Sequence, residues 1–388
     1  MTIALLFALA CTDGPGRYAD SGSPFRPNTA AEAHPDARWP ARPQLEDRIS
    51  SSLSDAGVPG AQVSIVKDGA VVWASNFGLR EVGTGKAVST DTSFALASVS
   101  KTVTAVALLQ VYETGAFDLD DPIAPYLAFT VDHPSSATPI TFRHLLTHTS
   151  GIRDNWNVLE ANYGPGDPSE PLGVFLERVL DPAGRSYSAK WNFTDWGPGE
   201  GNQYSNVGVA LAGHLVEAIT GVEFARWCDD RIFDPLAMDH TSWTLAGLGA
   251  DPVASPHLCG GGCRPVAHYG YPDYPNGLLR SSASDMGRFL AAVTRGGELD
   301  GVRLLRSSTV TEMLRPQAKG GQGLAWYEES LGKQLLVGHN GGDTGVSTEM
   351  FFRRSDGTGF VLLMNAEPSA WRHVEEIERA LLDAADGL

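Results

Sequence analysis

The chain has 388 residues, 42% of them hydrophobic and 19% charged, which is ample material for a large core and excludes disorder over most of its length. Its formal net charge of −17, with no run of Lys or Arg, excludes a nucleic-acid partner, since phosphate binding needs a basic surface. The acidic balance reads as a solvated surface.

Met1–Cys11 is apolar, ends in small residues before a cysteine, and is too short to span a bilayer. It reads as a clipped export signal, so the protein is expected to be exported, periplasmic or on the outer surface. Leu9-Ala10-Cys11 resembles a bacterial lipoprotein cleavage site, which makes Cys11 a candidate lipid anchor to the membrane. A plain signal and a mis-set start codon stay open beside it. Residues 12–42 are rich in Pro, Gly, Ser, Ala and Asp and read as a flexible leader.

The folded body, 43–388, opens with a predicted helix over Leu45–Ala56. Two β-rich runs follow, Ala61–Lys67 and Val71–Phe77, split by Asp68-Gly69, a hairpin signal. From Ser98 to about Arg315 the pattern becomes helical, broken by Gly/Pro loops, with helices predicted over Val99–Thr114, Val207–Thr220 and Ser284–Arg295. Strands return at Leu324–Glu328, Gln334–Gly338, Thr348–Arg353 and Gly359–Asn365, and Trp371–Ala385 closes the chain as an amphipathic helix. Neither β-rich end has strands enough to bury a face alone. An α+β fold is therefore expected: one antiparallel sheet from residues 43–97 and 316–388, with a mostly helical lobe, 98–315, inserted between them. The cleft between sheet and lobe is the natural place for a site.

Of the four cysteines, Cys259 and Cys263 flank three glycines and form a candidate disulfide ring, while Cys228 reads as a buried small hydrophobe. Zinc is disfavoured, because no second Cys or His pair follows at ligand spacing; no metal or cofactor is expected.

Ala97-Ser98-Val99-Ser100-Lys101 runs straight into an apolar helical stretch. Ser98 then sits at a helix N-terminus with Lys101 one turn later on the same face. A serine hydroxyl is a poor nucleophile until something takes its proton, and a partly buried lysine does so once its pKa falls. Alone, the pair is more often an N-cap serine beside a surface lysine, and it needs other elements beside it. Two more elements accompany it: Tyr204-Ser205-Asn206 before a helix, and His339-Asn340-Gly341-Gly342 at the end of a strand, where glycine lets backbone approach a substrate.

In this order the three elements resemble the penicillin-recognising serine enzymes. With Tyr-x-Asn second, the chain is similar to the class C β-lactamase branch, which also holds D-alanyl carboxypeptidases, D-aminopeptidases and carboxylesterases. The likeness covers roughly residues 45–385 and takes in Phe142–Gly151, Tyr204–Gly208 and Asn276–Met286. It implies a β-lactamase/transpeptidase-like fold, with Ser98 as nucleophile, Lys101 as base or base partner, and Tyr204 shuttling a proton to the leaving atom. Asn206 would bind the substrate amide and steady Lys101; the N–H groups of Ser98 and Gly342 would form the oxyanion hole, and His339 and Gly341 would line the substrate site. His339 departs from the lysine that β-lactamases keep there. A histidine, only partly charged near neutrality, holds a carboxylate less firmly, which moves weight toward peptide or ester cleavage.

Blander readings apply elsewhere. His144 and His148 are assigned to helix packing and loop hydrogen bonds, and no G-x-S-x-G elbow is present to argue for a Ser-His-Asp triad. Asp118–Pro122 lacks the glycine of a calcium loop and reads as a turn. Gly197–Gly201 reads as a wall of the cleft, and Ser282–Asp285 as a capping box. Tyr187, Trp191, Phe193 and Trp196 are either core or the lining of an acyl pocket. The expected function is a serine hydrolase acting through an acyl-enzyme on a small-molecule or peptide substrate, an amide or an ester. A β-lactamase or D-alanyl carboxypeptidase proper, a penicillin sensor that acylates without turnover, and a binding-only relative are the alternatives. No feature of the sequence sets an oligomeric state.

Overall fold

The computed structural model describes residues 42–388. Cys11, the signal-like segment and the leader up to residue 41 lie outside them.

Helix α1 spans Arg42–Ala56, and Leu45, Ile49, Leu53 and Ala56 recur on its buried face at three- to four-residue spacing. Strands β1 (Gly60–Lys67) and β2 (Ala70–Glu81) form the expected hairpin. Asp68 and Gly69 have φ of 51° and 70°, the two left-handed residues that a tight hairpin turn requires. Strand β3 (Lys86–Ala87) extends this edge. The lobe supplies helices α2 (Ser100–Tyr112), α3 (Asn206–Thr220) and α4 (Ala283–Thr294). Strands β4 (Tyr327–Leu331), β5 (Gln334–Asp343), β6 (Val346–Arg353) and β7 (Gly359–Met364) follow, and helix α5 (Trp371–Asp386) ends the chain.

Among the described residues, seven strands make one antiparallel sheet in the order β4-β5-β6-β7-β1-β2-β3. The last strand pairs with the first, Val63 opposite Leu362 and Ile65 opposite Phe360, so the two ends of the chain close one sheet as expected. Side chains along β7 alternate between its faces: Val361 and Leu363 enter the core shared with the lobe, Phe360 and Leu362 the core shared with α1 and α5. On the lobe side of β1 the polar Gln62 and Ser64 are buried but satisfied by α4, whose Ala283 N–H donates to Gln62 Oε1 while Ser64 Oγ donates to the Ala283 carbonyl. Ser282 caps α4 by accepting the Asp285 N–H, one half of the capping box read from the sequence, while the Asp285 carboxylate accepts instead from the His240 N–H and the Thr241 hydroxyl.

Several boundaries differ from expectation, and two of them have a local cause. The strand predicted at Leu324–Glu328 begins only at Tyr327, because Ala325 takes a left-handed φ of 57° and turns Leu324 and Trp326 into the core. Strand β5 runs five residues past the predicted Gly338, through the glycines expected to end it. Cys259 and Cys263 are joined by a disulfide, and Cys228 is free and buried.

Candidate active site

Ser98 lies in a single 3-10 turn, Ala97–Val99, that leads into α2, and its side chain caps nothing. The alternative of an N-cap serine is thereby set aside: the hydroxyl is left free of the helix. Ala97 holds φ 47°, a left-handed value that costs a non-glycine residue roughly 1–2 kcal/mol. Strain of this kind beside a half-buried serine marks a position the surroundings over-determine.

Lys101, one turn on, is fully buried. Its Nζ has three partners: Ser98 Oγ at 2.9 Å, Asn206 Oδ1 at 2.8 Å and the Asn276 carbonyl at 2.7 Å. It also lies 4.9 Å from the centroid of the Tyr204 ring. Burial lowers the ammonium to about 7, against the pull of Asp154, Asp273 and Asp343. Near neutrality a large share of this amine is therefore unprotonated and able to take a proton from Ser98.

Tyr204 precedes α3. Tyr204 is 40% exposed, and its phenol interacts with the Ser98 hydroxyl. Crowding around the phenol raises its pKa, while the contact with Ser98 favours the ionised form. The start of α3 is held by two acceptors: Ser205 Oγ takes the Gly208 N–H, and the Asp154 carboxylate takes the Asn206 and Val207 N–H groups. Asp154 Oδ2 also accepts from Asn206 Nδ2 at 2.8 Å, which turns the amide so that its oxygen faces Lys101.

From the opposite wall, β5 presses against the turn that carries Ser98. A Cβ placed on Gly341 would fall 2.5 Å from the Leu96 carbonyl and 3.0 Å from the Ser98 nitrogen. Thr348 on β6 ties the same carbonyl down at 2.7 Å. The Asn340 N–H turns to the Tyr327 hydroxyl on the β4 side of the strand. Amides two apart on a strand point the same way, so the Gly342 N–H faces that side too, beyond the last pairing of β4 with Gly338. It is left free of the sheet.

His339 corrects an expectation. It is 2% exposed, and its Nδ1 lies 2.5 Å from the Asn340 carbonyl. A carbonyl only accepts, so Nδ1 carries the hydrogen. Burial, reinforced by Lys101, lowers the imidazole to about 3. The ring is neutral near pH 7 rather than partly charged.

Ser98, Lys101, Tyr204, Asn206, His339, Gly341 and Gly342 thus converge on one cleft. Asp154, Asp273 and the Asn276 carbonyl were missed as partners of Lys101. Asn276 stands in a stretch quoted for the family likeness, but nothing in the sequence marked its carbonyl. Asp273 accepts from Asn276 Nδ2 at 2.7 Å, and burial raises it to about 7. The aromatic cluster divides: Phe193 is core, Trp191 is half exposed under the Arg153 guanidinium, Tyr187 packs against the core, and Trp196 lies partly buried beside Gly201. Among the described residues, no group of three His, Cys, Asp or Glu side chains is placed to hold a metal ion.

The model of the beta-lactamase family matches residues 45–385, all but three residues at each end of the described body. The chain belongs to the beta-lactamase family. It is 29% identical over 283 residues to penicillin-binding protein 4 of Amycolatopsis lactamdurans, covering 71% of this chain and 70% of that one. It is 27% identical over 306 residues to a beta-lactamase of Yersinia enterocolitica, covering 77% and 72%. The fold is shared with the D-alanine carboxypeptidase AmpC of Burkholderia cenocepacia, at a TM-score of 0.66 and 23% identity over 89% of this chain and all of that one. As a beta-lactamase-family serine hydrolase, the chain carries the β-lactamase/transpeptidase-like fold expected from its motifs.

Proposed function

We propose that this chain hydrolyses an ester or amide through an acyl-enzyme on Ser98. The observation that carries the reading is the fully buried Lys101 amine, lowered to about 7, at 2.9 Å from Ser98 Oγ. The unprotonated amine accepts the Ser98 proton as Oγ bonds to the substrate carbonyl carbon. The oxyanion that forms takes hydrogen bonds from the Ser98 and Gly342 N–H groups, and removing one such donor typically costs 10²–10³ in rate. As the bond to the leaving nitrogen or oxygen breaks, Tyr204 Oη delivers a proton to it and is replenished from Lys101. Water then attacks the acyl carbon, gives its proton back through the same pair, and releases Ser98 and the acid.

The charges around the site bear on the substrate. Three carboxylates, Asp154, Asp273 and Asp343, act on Lys101, and His339 adds no positive charge. A substrate carboxylate brought to His339 meets no cation there, which favours neutral or amine-bearing acyl compounds over penicillins and peptides with a free C-terminus.

Mass spectrometry of the protein after incubation with p-nitrophenyl esters, D-amino-acid amides, D-Ala-D-Ala peptides and nitrocefin tests both points. Adducts on Ser98 and turnover are expected with the esters and amides and not in Ser98→Ala. Turnover surviving in Ser98→Ala ends the proposal. Nitrocefin or D-Ala-D-Ala as the best substrate overturns the charge argument alone, and an adduct that persists without product would make the chain a sensor.

A further inference from the structure

His148 stands outside the three catalytic elements, in the Phe142–Gly151 stretch read as packing and loop hydrogen bonds, and it touches Tyr204 and the residue on either side of it. Its carbonyl accepts the Gln203 N–H at 2.8 Å, its Nδ1 accepts the Ser205 N–H at 3.2 Å, and its ring lies 4.4 Å from the Tyr204 ring, centroid to centroid. The residues on both sides of Tyr204 are therefore held by one neighbour, with the phenol ring laid against its imidazole.

Two costs are built into this contact. His148 has φ 57°, a left-handed value uncommon for a histidine. A backbone N–H only donates, so Nδ1 is the acceptor and the hydrogen sits on Nε2, which is sealed from solvent and has no partner. A buried donor without a partner forfeits its hydrogen bond to water and is destabilising. A residue kept merely to fill space needs neither feature; an apolar side chain would fill the volume without the orphaned donor. The ring also stays neutral, since burial and the nearby Lys101 lower its pKa well below the usual histidine value. It neither competes for the Ser98 proton nor repels the Lys101 ammonium.

We propose that His148 is a positioning residue that aims the Tyr204 hydroxyl at Ser98 by gripping the Ser205 amide and backing the phenol ring. This rests on the reading of Tyr204 as the proton shuttle. The acceptor at Nδ1 is the decisive group: Asn places an amide oxygen there and tolerates φ above zero, Gln places its oxygen a bond further out, and Phe keeps the ring and loses the acceptor.

The test measures kcat, KM and the pH profile of kcat/KM for His148→Phe, His148→Gln and His148→Asn on an ester substrate, with Tyr204→Phe alongside and circular dichroism to confirm folding. In the unsubstituted protein kcat/KM is expected to rise with pH through about 7, as Lys101 loses its proton. A misaimed phenol is expected to lower kcat about 10²-fold in the Phe and Gln variants with KM little changed. Their rising limb shifts to higher pH as water enters beside Lys101, and His148→Asn returns most of the rate and the original limb. Should Phe fail to fold, the Gln and Asn pair decides alone. Folded Phe or Gln variants with an unchanged kcat and limb overturn the proposal, and so does a loss equal at every pH that Asn leaves unrepaired. If Tyr204→Phe itself turns over normally, the shuttle reading fails first; if it is inactive while the His148 variants are normal, only the role of His148 falls.

Discussion

Gly341 and Gly342 are adjacent and answer to different constraints. A methyl group on Gly341 meets the Leu96 carbonyl and the Ser98 nitrogen, whereas one on Gly342 meets no atom within 4 Å. Gly341→Ala is expected to push β5 off the nucleophile turn and lower kcat/KM about 10²-fold, since small misplacements near reacting atoms cost that much. Gly342→Ala should fold and keep its amide donor in place, with far milder loss. Steady-state kinetics on the two variants check this, and equal activities would mean the strand is not pressed on Ser98. At this scale the sequence was legible where spacing is local: Ser98 and Lys101 stand three apart, one helical turn, and do meet. Asp154 and the Asn276 carbonyl reach the site from 53 and 175 residues away from Lys101 along the chain. No local spacing encodes such meetings, and a left-handed histidine such as His148 leaves no compositional trace.

Helix α5 and the sheet face beneath it hold a second group of buried carboxyls. Glu349 on β6 is 1% exposed with Oε1 unpartnered, and Glu378 on α5 is 7% exposed. Burial, with Glu329 and Glu375 nearby, raises Glu378 to about 8. The folded state thus keeps a proton that the unfolded chain releases above about pH 4.3. Its stabilising contribution is complete below that pH and is lost as pH rises through about 8, at up to about 1.4 kcal/mol per pH unit. Denaturant midpoints at pH 5 and pH 9 should fall more steeply for the unsubstituted protein than for Glu378→Gln, the other titrations cancelling in the difference. Parallel curves would count against a proton held at Glu378. Element type was readable wherever periodicity was strong: Trp371–Ala385 was expected and Trp371–Asp386 is found. It misled at Leu324, where an apolar run looks the same whether it forms a strand or plugs a core.

Across the whole molecule, the pairing of β1 with β7 joins the two ends, and Leu362 sits at that seam, fully buried in the core shared with α1 and α5. Leu362→Ala should cost about 2–5 kcal/mol of unfolding free energy. Activity per folded molecule should be unchanged, because Leu362 points to the face away from Ser98; urea unfolding with titration of the reactive serine separates the two. A loss of specific activity at full folding would show that the back core reaches the site. The sheet made from both ends could be inferred from strand counts, whereas its order could not, since pairing across some 300 residues is a tertiary choice that short-range pattern does not record.

That seam also sets when the protein becomes reactive. Ser98 and Lys101 emerge from the ribosome some 240 residues before Gly342, and β6, the neighbour that pairs with Gly341 and Gly342, is made later still. On the proposed mechanism, a growing or truncated chain would present Ser98 without the second amide of its oxyanion hole, and acylation is expected only once the later strands have closed the sheet.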